Sequence, residues 1–244
     1  MSATVVAAVR SVVAYAGILL YIALAGPIAL VIGFAFRWKG GMYFLGRGGV
    51  RLALALSGIR YALAGRQHLP HTPAVFCSNH ESNIDPAVLF LALHPRLHVL
   101  YKAELHNFPL MGTIFDVGGF VAVDRHDRAR AMASIAEGAR SLRSGNSFLI
   151  FPEGTRSRTG RLLPFKKGGF IMAIEAQVPV VPVAVSGGRG AMQKGSAIVR
   201  PARLTVRVGR PIPTSGLTLA DRDRLIENVH AVVQGLLDEN AVPA

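Results

Sequence analysis

Sulfur chemistry is nearly absent from this chain. One cysteine, Cys77, occurs in 244 residues. A single thiol excludes an intrachain disulfide and a multi-cysteine metal site, and fits a reducing, cytoplasm-facing location. Charge is also scarce, at 17% Asp, Glu, Lys and Arg against 51% hydrophobic residues. That is more apolar than a typical soluble domain, so membrane contact is expected. The charge present is one-sided: 27 Lys and Arg oppose 14 Asp and Glu, a formal net charge of +13. Such an excess suits an anionic partner, either nucleic acid or acidic lipid. Ten cations and four acids lie between Asp124 and Phe170, and six cations and no acid from Arg189 to Arg210. Most of these read as a solvated basic surface, yet each cation near an anionic bilayer gains about 1 kcal/mol. They are not interleaved with aromatics as base stacking requires, so the expected partner is anionic membrane lipid and no nucleic acid.

Charge is missing altogether from Ser11 to Phe36, a run of 26 residues flanked by Arg10, Arg37 and Lys39. A bilayer core needs about 20 apolar residues as a helix. Pro27 sits inside the run beside Gly26, and proline removes a helical hydrogen bond. Two readings follow: one kinked transmembrane helix, or two short helices dipping into one leaflet. Ala23-Leu24-Ala25 resembles a signal-cleavage site, but the apolar run continues for eleven residues beyond it and includes Pro27, which disfavours cleavage. Cations on both sides leave the orientation open.

Gly41 to Leu56 reads as a helix resting on the membrane or on the domain. Beyond Ile59 short apolar runs alternate with helical-period stretches. The strands predicted are 60–64, 74–78, 97–101, 119–123, 147–151, 180–185 and 204–208, and the helices 86–93, 128–143, 168–176 and 219–237. Asp127 is placed to cap the helix after it, and Thr218 with Asp221 forms a capping-box variant. Strands alternating with helices give an α/β fold: a mixed, largely parallel sheet flanked by helices, preceded by an N-terminal membrane-associated helical segment. Length and pattern divide the chain into an anchoring region, 1–58, and one α/β domain, 59–244.

Several chemistries lack their signatures. There is no G-x-S-x-G elbow, no zinc-spaced His or Cys cluster and no P-loop, so neither a metal nor a serine nucleophile is expected. Cys77 closes the apolar run Ala74–Cys77 and reads as a buried, inert thiol. Two segments remain. The first, Ser78-Asn79-His80-Glu81-Ser82-Asn83-Ile84-Asp85-Pro86, follows a strand and precedes a helix, with Asp85 then Pro86 patterned as N-cap and first helical residue. His80 thus lies in a turn at the carboxyl end of a strand, where α/β sites form, and the turn can bring Asp85 to its imidazole as a general-base pair. The alternative is a surface histidine beside a capping aspartate. The second segment, Phe151-Pro152-Glu153-Gly154-Thr155-Arg156, enters a loop in which Arg156 can grip a phosphate and glycine can expose backbone N–H groups. Glu153 would repel a phosphate, so its role is to orient Arg156 or the loop; the alternative is a polar turn. A base without a protein nucleophile implies that the substrate supplies its own hydroxyl.

Together, the His-x4-Asp of His80 and Asp85 and the Phe-Pro-Glu-Gly-Thr-Arg run resemble the glycerolipid acyltransferase family, most closely its bacterial 1-acylglycerol-3-phosphate acyltransferases. Two further blocks are similar and in the same order, Gly119–Arg125 and Val178–Val183, and Lys102-Ala103-Glu104-Leu105 matches the usual link; the likeness covers residues 60–210. The second block carries one extra residue between Gly119 and Arg125. The resemblance implies His80 as base and Asp85 as its orienter. It also implies Arg125, Glu153, Gly154, Thr155 and Arg156 in binding glycerol phosphate, with Lys102 assisting and Pro182 shaping the pocket. The activity implied is transfer of a fatty acyl group from acyl-CoA or acyl-ACP, with no other cofactor, to the free sn-2 hydroxyl of 1-acyl-sn-glycerol 3-phosphate. Phosphatidic acid would form at the inner, cytoplasmic membrane with the active site facing the cytoplasm. Acyl transfer to another lysolipid, ornithine-type or lysophosphatidylglycerol, and a non-catalytic anionic-lipid binder are the competing readings.

Overall fold

All but the last two residues of the uncharged run lie in one uninterrupted helix. In the computed structural model, which describes residues 3–94, 96–107, 111–123 and 127–241, α1 spans Ala3–Phe34 with Pro27 inside it. The expectation of two short helices is therefore corrected. One lost hydrogen bond at Pro27 does not break a helix whose neighbouring turns propagate on both sides. Its Thr4–Phe34 stretch is long and apolar enough to cross a membrane, with none of the most apolar window buried. The two sides of α1 differ. Ala7, Ser11 and Ala14 are buried, whereas Val5, Val9, Val12, Leu19, Leu20, Leu24, Ile28 and Val31 are exposed. Helix α2, Lys39–Ser57, returns antiparallel along α1: the Tyr21 hydroxyl donates to the Leu45 carbonyl at 2.8 Å, and Leu56 packs over Gly17. Gly58, in the left-handed region, ends α2.

The α/β portion then runs β1 (Ile59–Ala64), β2 (Val75–Ser78), α3 (Asp85–Ala92), β3 (Leu97–Lys102), α4 (Met111–Gly118), β4 (Val121–Val123), α5 (Arg128–Arg143), β5 (Ser147–Ile150), α6 (Gly168–Ala176), β6 (Val180–Ser186), α7 (Gly188–Ala191), β7 (Ala202–Val208) and α8 (Arg222–Ala241). The sheet order is β1-β7-β6-β2-β5-β3-β4. All neighbours pair in parallel except β6 with β7, the mixed, largely parallel sheet expected. Strand alternation sends Phe76, Leu149, Val181 and Val183 to one face, where Leu54 of α2 and Val88 and Leu89 of α3 close the core. It sends Val75, Cys77, Phe148, Ile150 and Val180 to the other, against Leu142 of α5, Phe170 of α6 and Val229 of α8. Each large side chain so buried contributes roughly 1.5–3 kcal/mol.

Both expected capping contacts form. Asp127 Oδ1 accepts from the Arg130 amide at 3.1 Å and starts α5, and Asp221 Oδ2 accepts from the Thr218 amide and hydroxyl, both at 3.0 Å, ahead of α8. A predicted strand boundary needs correction: Gly119 lies outside β4. It has φ +78° directly after α4, and a Cβ there would run into the His98 ring, so only glycine ends α4 against that side chain. His98 itself is buried among aromatics including Phe120 and Phe148. Burial pushes its pKa down to about 4, which makes it a neutral core residue.

Candidate active site

Five neighbouring parallel strands, β6, β2, β5, β3 and β4, end at one edge of the sheet. That is the edge where α/β sheets build sites. His80 follows β2 at the centre; Glu153 to Arg156 follow β5 on one side, and residues 187–200 follow β6 on the other. Asn79 fixes the exit of β2: its side-chain amide donates to the Val185 carbonyl at 2.8 Å and accepts from the Val185 amide at 2.7 Å, standing in for a further strand residue.

The turn closes on Asp85. Its Oδ2 lies 3.0 Å from His80 Nδ1 and accepts from the backbone amides of Glu81 at 2.6 Å and Ser82 at 2.7 Å. The capping role read from Asp85-Pro86 is thus corrected: Asp85 is the first residue of α3 and Ile84 precedes it without a side-chain cap bond. The carboxylate points back into the turn because three donors there outbid a single helical amide. Held on Nδ1, the imidazole proton leaves Nε2 as the bare acceptor. Among the described residues Nε2 has no hydrogen-bond partner. The ring stacks on Phe151 with centroids 4.2 Å apart, which sets its plane. Asp85 is fully buried, His80 partly open.

The second segment grips the first by its backbone. Glu153, 4% exposed, accepts from the His80 amide at 2.6 Å through Oε1 and from the Leu163 amide at 3.0 Å through Oε2. The Ser157 amide donates to the His80 carbonyl at 2.8 Å. Glu153 is therefore the orienter of loop backbone that the sequence suggested, and it contacts His80 rather than Arg156. Burial raises its carboxyl pKa, and the His80 and Leu163 amides oppose that. Gly154 has φ +67° and Lys166 lies where its Cβ would be. The half-buried Arg156 makes no side-chain hydrogen bond or ion pair among the described residues, and its Nη1 is buried without a partner. An unpaired guanidinium in such a place is a cation awaiting an anion.

Of the other expected site residues, Thr155 is exposed on the same turn, Lys102 ends β3 in register with Val123, and Arg125 lies outside the described residues. Pro182 is not brought to this edge. It is buried mid-strand in β6, in register with Cys77, and its carbonyl accepts from Gly209. Cys77 is fully buried, with its thiol pKa pushed up by that burial, and takes no part. Among the described residues no group of three His, Cys, Asp or Glu side chains converges as a metal site would.

Sequence reasoning gave no role to Asn79, Glu81, Ser82, Gly188 or Lys194. Gly188 packs on Asp85 so closely that a Cβ would overlap the carboxylate. The Ser82 hydroxyl donates to the Met192 carbonyl at 2.8 Å. Buried Glu81 has its pKa pushed up to about 7, by burial first and by Asp85 second, with Arg189 opposing. The folded protein therefore keeps a proton that the unfolded chain has lost between about pH 4.5 and 7, so stability from this group falls as pH rises across that window and levels off above it. Glu81→Gln is expected to flatten that part of the profile when unfolding free energy is measured by urea titration across the window; an unaltered slope would show that the proton sits elsewhere.

A family model described as Acyltransferase matches residues 60–186. A 1-acyl-sn-glycerol-3-phosphate acyltransferase of Cocos nucifera is 36% identical over 71% of this chain and 56% of its own length. The beta enzyme of that name from Homo sapiens is 36% identical over 72% of this chain and 64% of its own. An acyltransferase of Schizosaccharomyces pombe is 30% identical over 82% and 73%. The chain thus spans between about half and two thirds of the length of the plant and human relatives. The crystal structure of the 1-acyl-sn-glycerophosphate (LPA) acyltransferase from Thermotoga maritima shares the fold, with a TM-score of 0.85, 22% identity and coverage of 100% of this chain and 99% of that one.

Proposed function

The chain belongs to the acyltransferase family, and from that premise we propose that it transfers a fatty acyl group from a thioester donor to the free sn-2 hydroxyl of 1-acyl-sn-glycerol 3-phosphate, the acceptor in the names of its plant and human relatives. The observation that carries this reading is the join between the two segments. A His80–Asp85 pair with Nε2 open is fastened through the His80 backbone to a turn that presents an unpaired Arg156.

His80 Nε2 takes the proton from the acceptor hydroxyl as its oxygen bonds to the thioester carbonyl carbon. Asp85 stabilises the imidazolium that forms. The tetrahedral oxyanion collapses, the carbon–sulfur bond breaks, and the imidazolium returns its proton to the departing thiolate. Nothing on the protein is acylated, in keeping with the buried Cys77. Arg156 takes the acceptor's phosphate; Arg125 and Lys102 reinforce it; Gly154 and Thr155 shape the turn, and Pro182 acts only through the strand behind it. The donor is acyl-CoA or acyl-ACP and no other cofactor is needed. The acceptor comes from a membrane, and the outward face of α1 is the surface that meets it. No acidic residue precedes Glu81, so the whole α1–α2 hairpin presents only cations to anionic lipid. A cytoplasmic-facing site on the inner membrane fits the thioester supply.

The test offers labelled acyl-CoA and a panel of lysolipids to the purified protein in vesicles. Phosphatidic acid from lysophosphatidic acid is expected, with kcat/KM at least about tenfold above that for phosphodiester head groups, the scale of one charge-assisted contact. Preference for an ornithine-type lipid or lysophosphatidylglycerol, or acyl release to water alone, would overturn the acceptor assignment.

A further inference from the structure

We propose that Lys194 is a specificity residue of this site: with Arg156 it forms a two-cation seat for the acceptor's phosphomonoester. It is carried there by a strap, residues 187–200, that runs from the catalytic turn to α1. The inference rests on the acyl-transfer reading above.

The strap leaves the end of β6 and touches each part of the site in turn. Gly188 lies against Asp85 and Ser82. The Met192 carbonyl accepts from the Ser82 hydroxyl at 2.8 Å. Lys194 Nζ donates to Thr155 Oγ1 at 2.9 Å and to the Arg156 carbonyl at 3.2 Å. Beyond it, the Tyr15 hydroxyl of α1 donates to the Ala197 carbonyl at 2.7 Å, and the Val199 amide donates to Ser11 Oγ at 2.8 Å. One segment thus ties the His80 turn, the Arg156 turn and the apolar helix together.

An ammonium carries three N–H donors. Two are spent on Thr155 and Arg156, and one is left. Among the described residues neither Lys194 nor Arg156 has a carboxylate partner. Glu153, the acid nearest in sequence, has both oxygens committed to the amides of His80 and Leu163. The strap therefore sets a second cation against the backbone of the turn that carries the unpaired Arg156 guanidinium, and residues 187–200 bring no acid with them. Two part-buried cations gathered on one turn without an anion among the described residues are costly to hold unless a ligand supplies one. A phosphomonoester near neutral pH carries about −1.5 to −2 charge on three terminal oxygens. A phosphodiester carries one charge on two such oxygens, so the pair of cations discriminates in favour of the monoester.

The competing explanation is that Lys194 only staples the strap to the turn. The full-length protein in vesicles, given lysophosphatidic acid and lysophosphatidylglycerol of one acyl chain, separates the two. For Lys194→Met the ratio of kcat/KM values, monoester over diester, is expected to fall about tenfold, through KM rather than kcat, with Lys194→Arg recovering most of it. The ratio cancels any loss of folded protein. If both acceptors decline in step and the ratio stays at the wild-type value, Lys194 is a staple and the proposal is overturned. A wild-type protein that acylates neither lysolipid would sink the acyl-transfer reading itself, before any variant is compared.

Discussion

His80→Ala is expected to lower kcat by about 10³-fold or more while leaving the protein folded, the upper part of the range for losing a positioned base. The expectation of an intact fold comes from how the residue is held. Its backbone amide and carbonyl are bonded to Glu153 and Ser157, and alanine keeps both. The side chain contributes one tie to Asp85 and a stack on Phe151. Asp85 Oδ2 still accepts from the Glu81 and Ser82 amides in the variant, so its buried charge is not stranded. Asp85→Ala differs, because it frees two backbone amides and loosens the turn as well as the base. Single-turnover transfer measured beside thermal melting checks the pair of claims. Turnover by His80→Ala above about a tenth of wild type would place the base elsewhere, and a collapsed melting curve would mean that the side chain carries structure after all.

The catalytic pair and the Arg156 turn were legible because each is short in sequence, whereas the His80–Glu153 bond that joins them crosses 73 residues and was not. His80 and Asp85 are five residues apart, and Phe151 to Ser157 is one turn. The strand-to-helix turn needed no tertiary information to be located. What the local rules misread was direction. Asp-Pro at a helix start is patterned as a cap, but backbone donors inside the turn took the carboxylate. Gly119 has the pattern of a strand residue because it adjoins an apolar run, while its neighbour in space is His98. The strap was illegible for a different reason. Its bonds to Thr155, Ser82, Tyr15 and Ser11 cross 39, 110, 182 and 188 residues. No period or motif in 187–200 encodes them. They follow from β6 lying next to β2, and that adjacency is a property of the sheet order. Lys194 could have been suspected from the six cations without an acid between Arg189 and Arg210, but that signal does not choose among them.

The two-sidedness of α1 yields the other large effect. Leu19, Leu20 and Leu24 are 67%, 61% and 64% exposed, and nothing among the described residues covers this bare apolar surface. Ser11 and Tyr15, by contrast, fasten the same helix to the strap. Changing the three leucines to glutamate leaves the fastened side alone and penalises only a bilayer contact. Each charge in a hydrocarbon core costs roughly 2.5–3.5 kcal/mol, and three cost roughly 8–10 kcal/mol for a helix that is fully inserted. The variant is expected to leave anionic vesicles for the supernatant, and its kcat/KM on bilayer-borne lysophosphatidic acid to fall about 100-fold or more. On a short-chain acceptor dispersed in water the fall is expected to be severalfold at most, because the strap and Lys194 keep their places. Removing residues 1–34 altogether strips Ser11 and Tyr15 as well, and should depress turnover on the dispersed acceptor too. Co-sedimentation with vesicles, run beside the two assays, separates the roles. If the triple variant still sediments with lipid, the outward face of α1 is not what holds this protein to a membrane. If it loses the dispersed acceptor as fully as the bilayer one, α1 acts on the site itself and not through access to substrate.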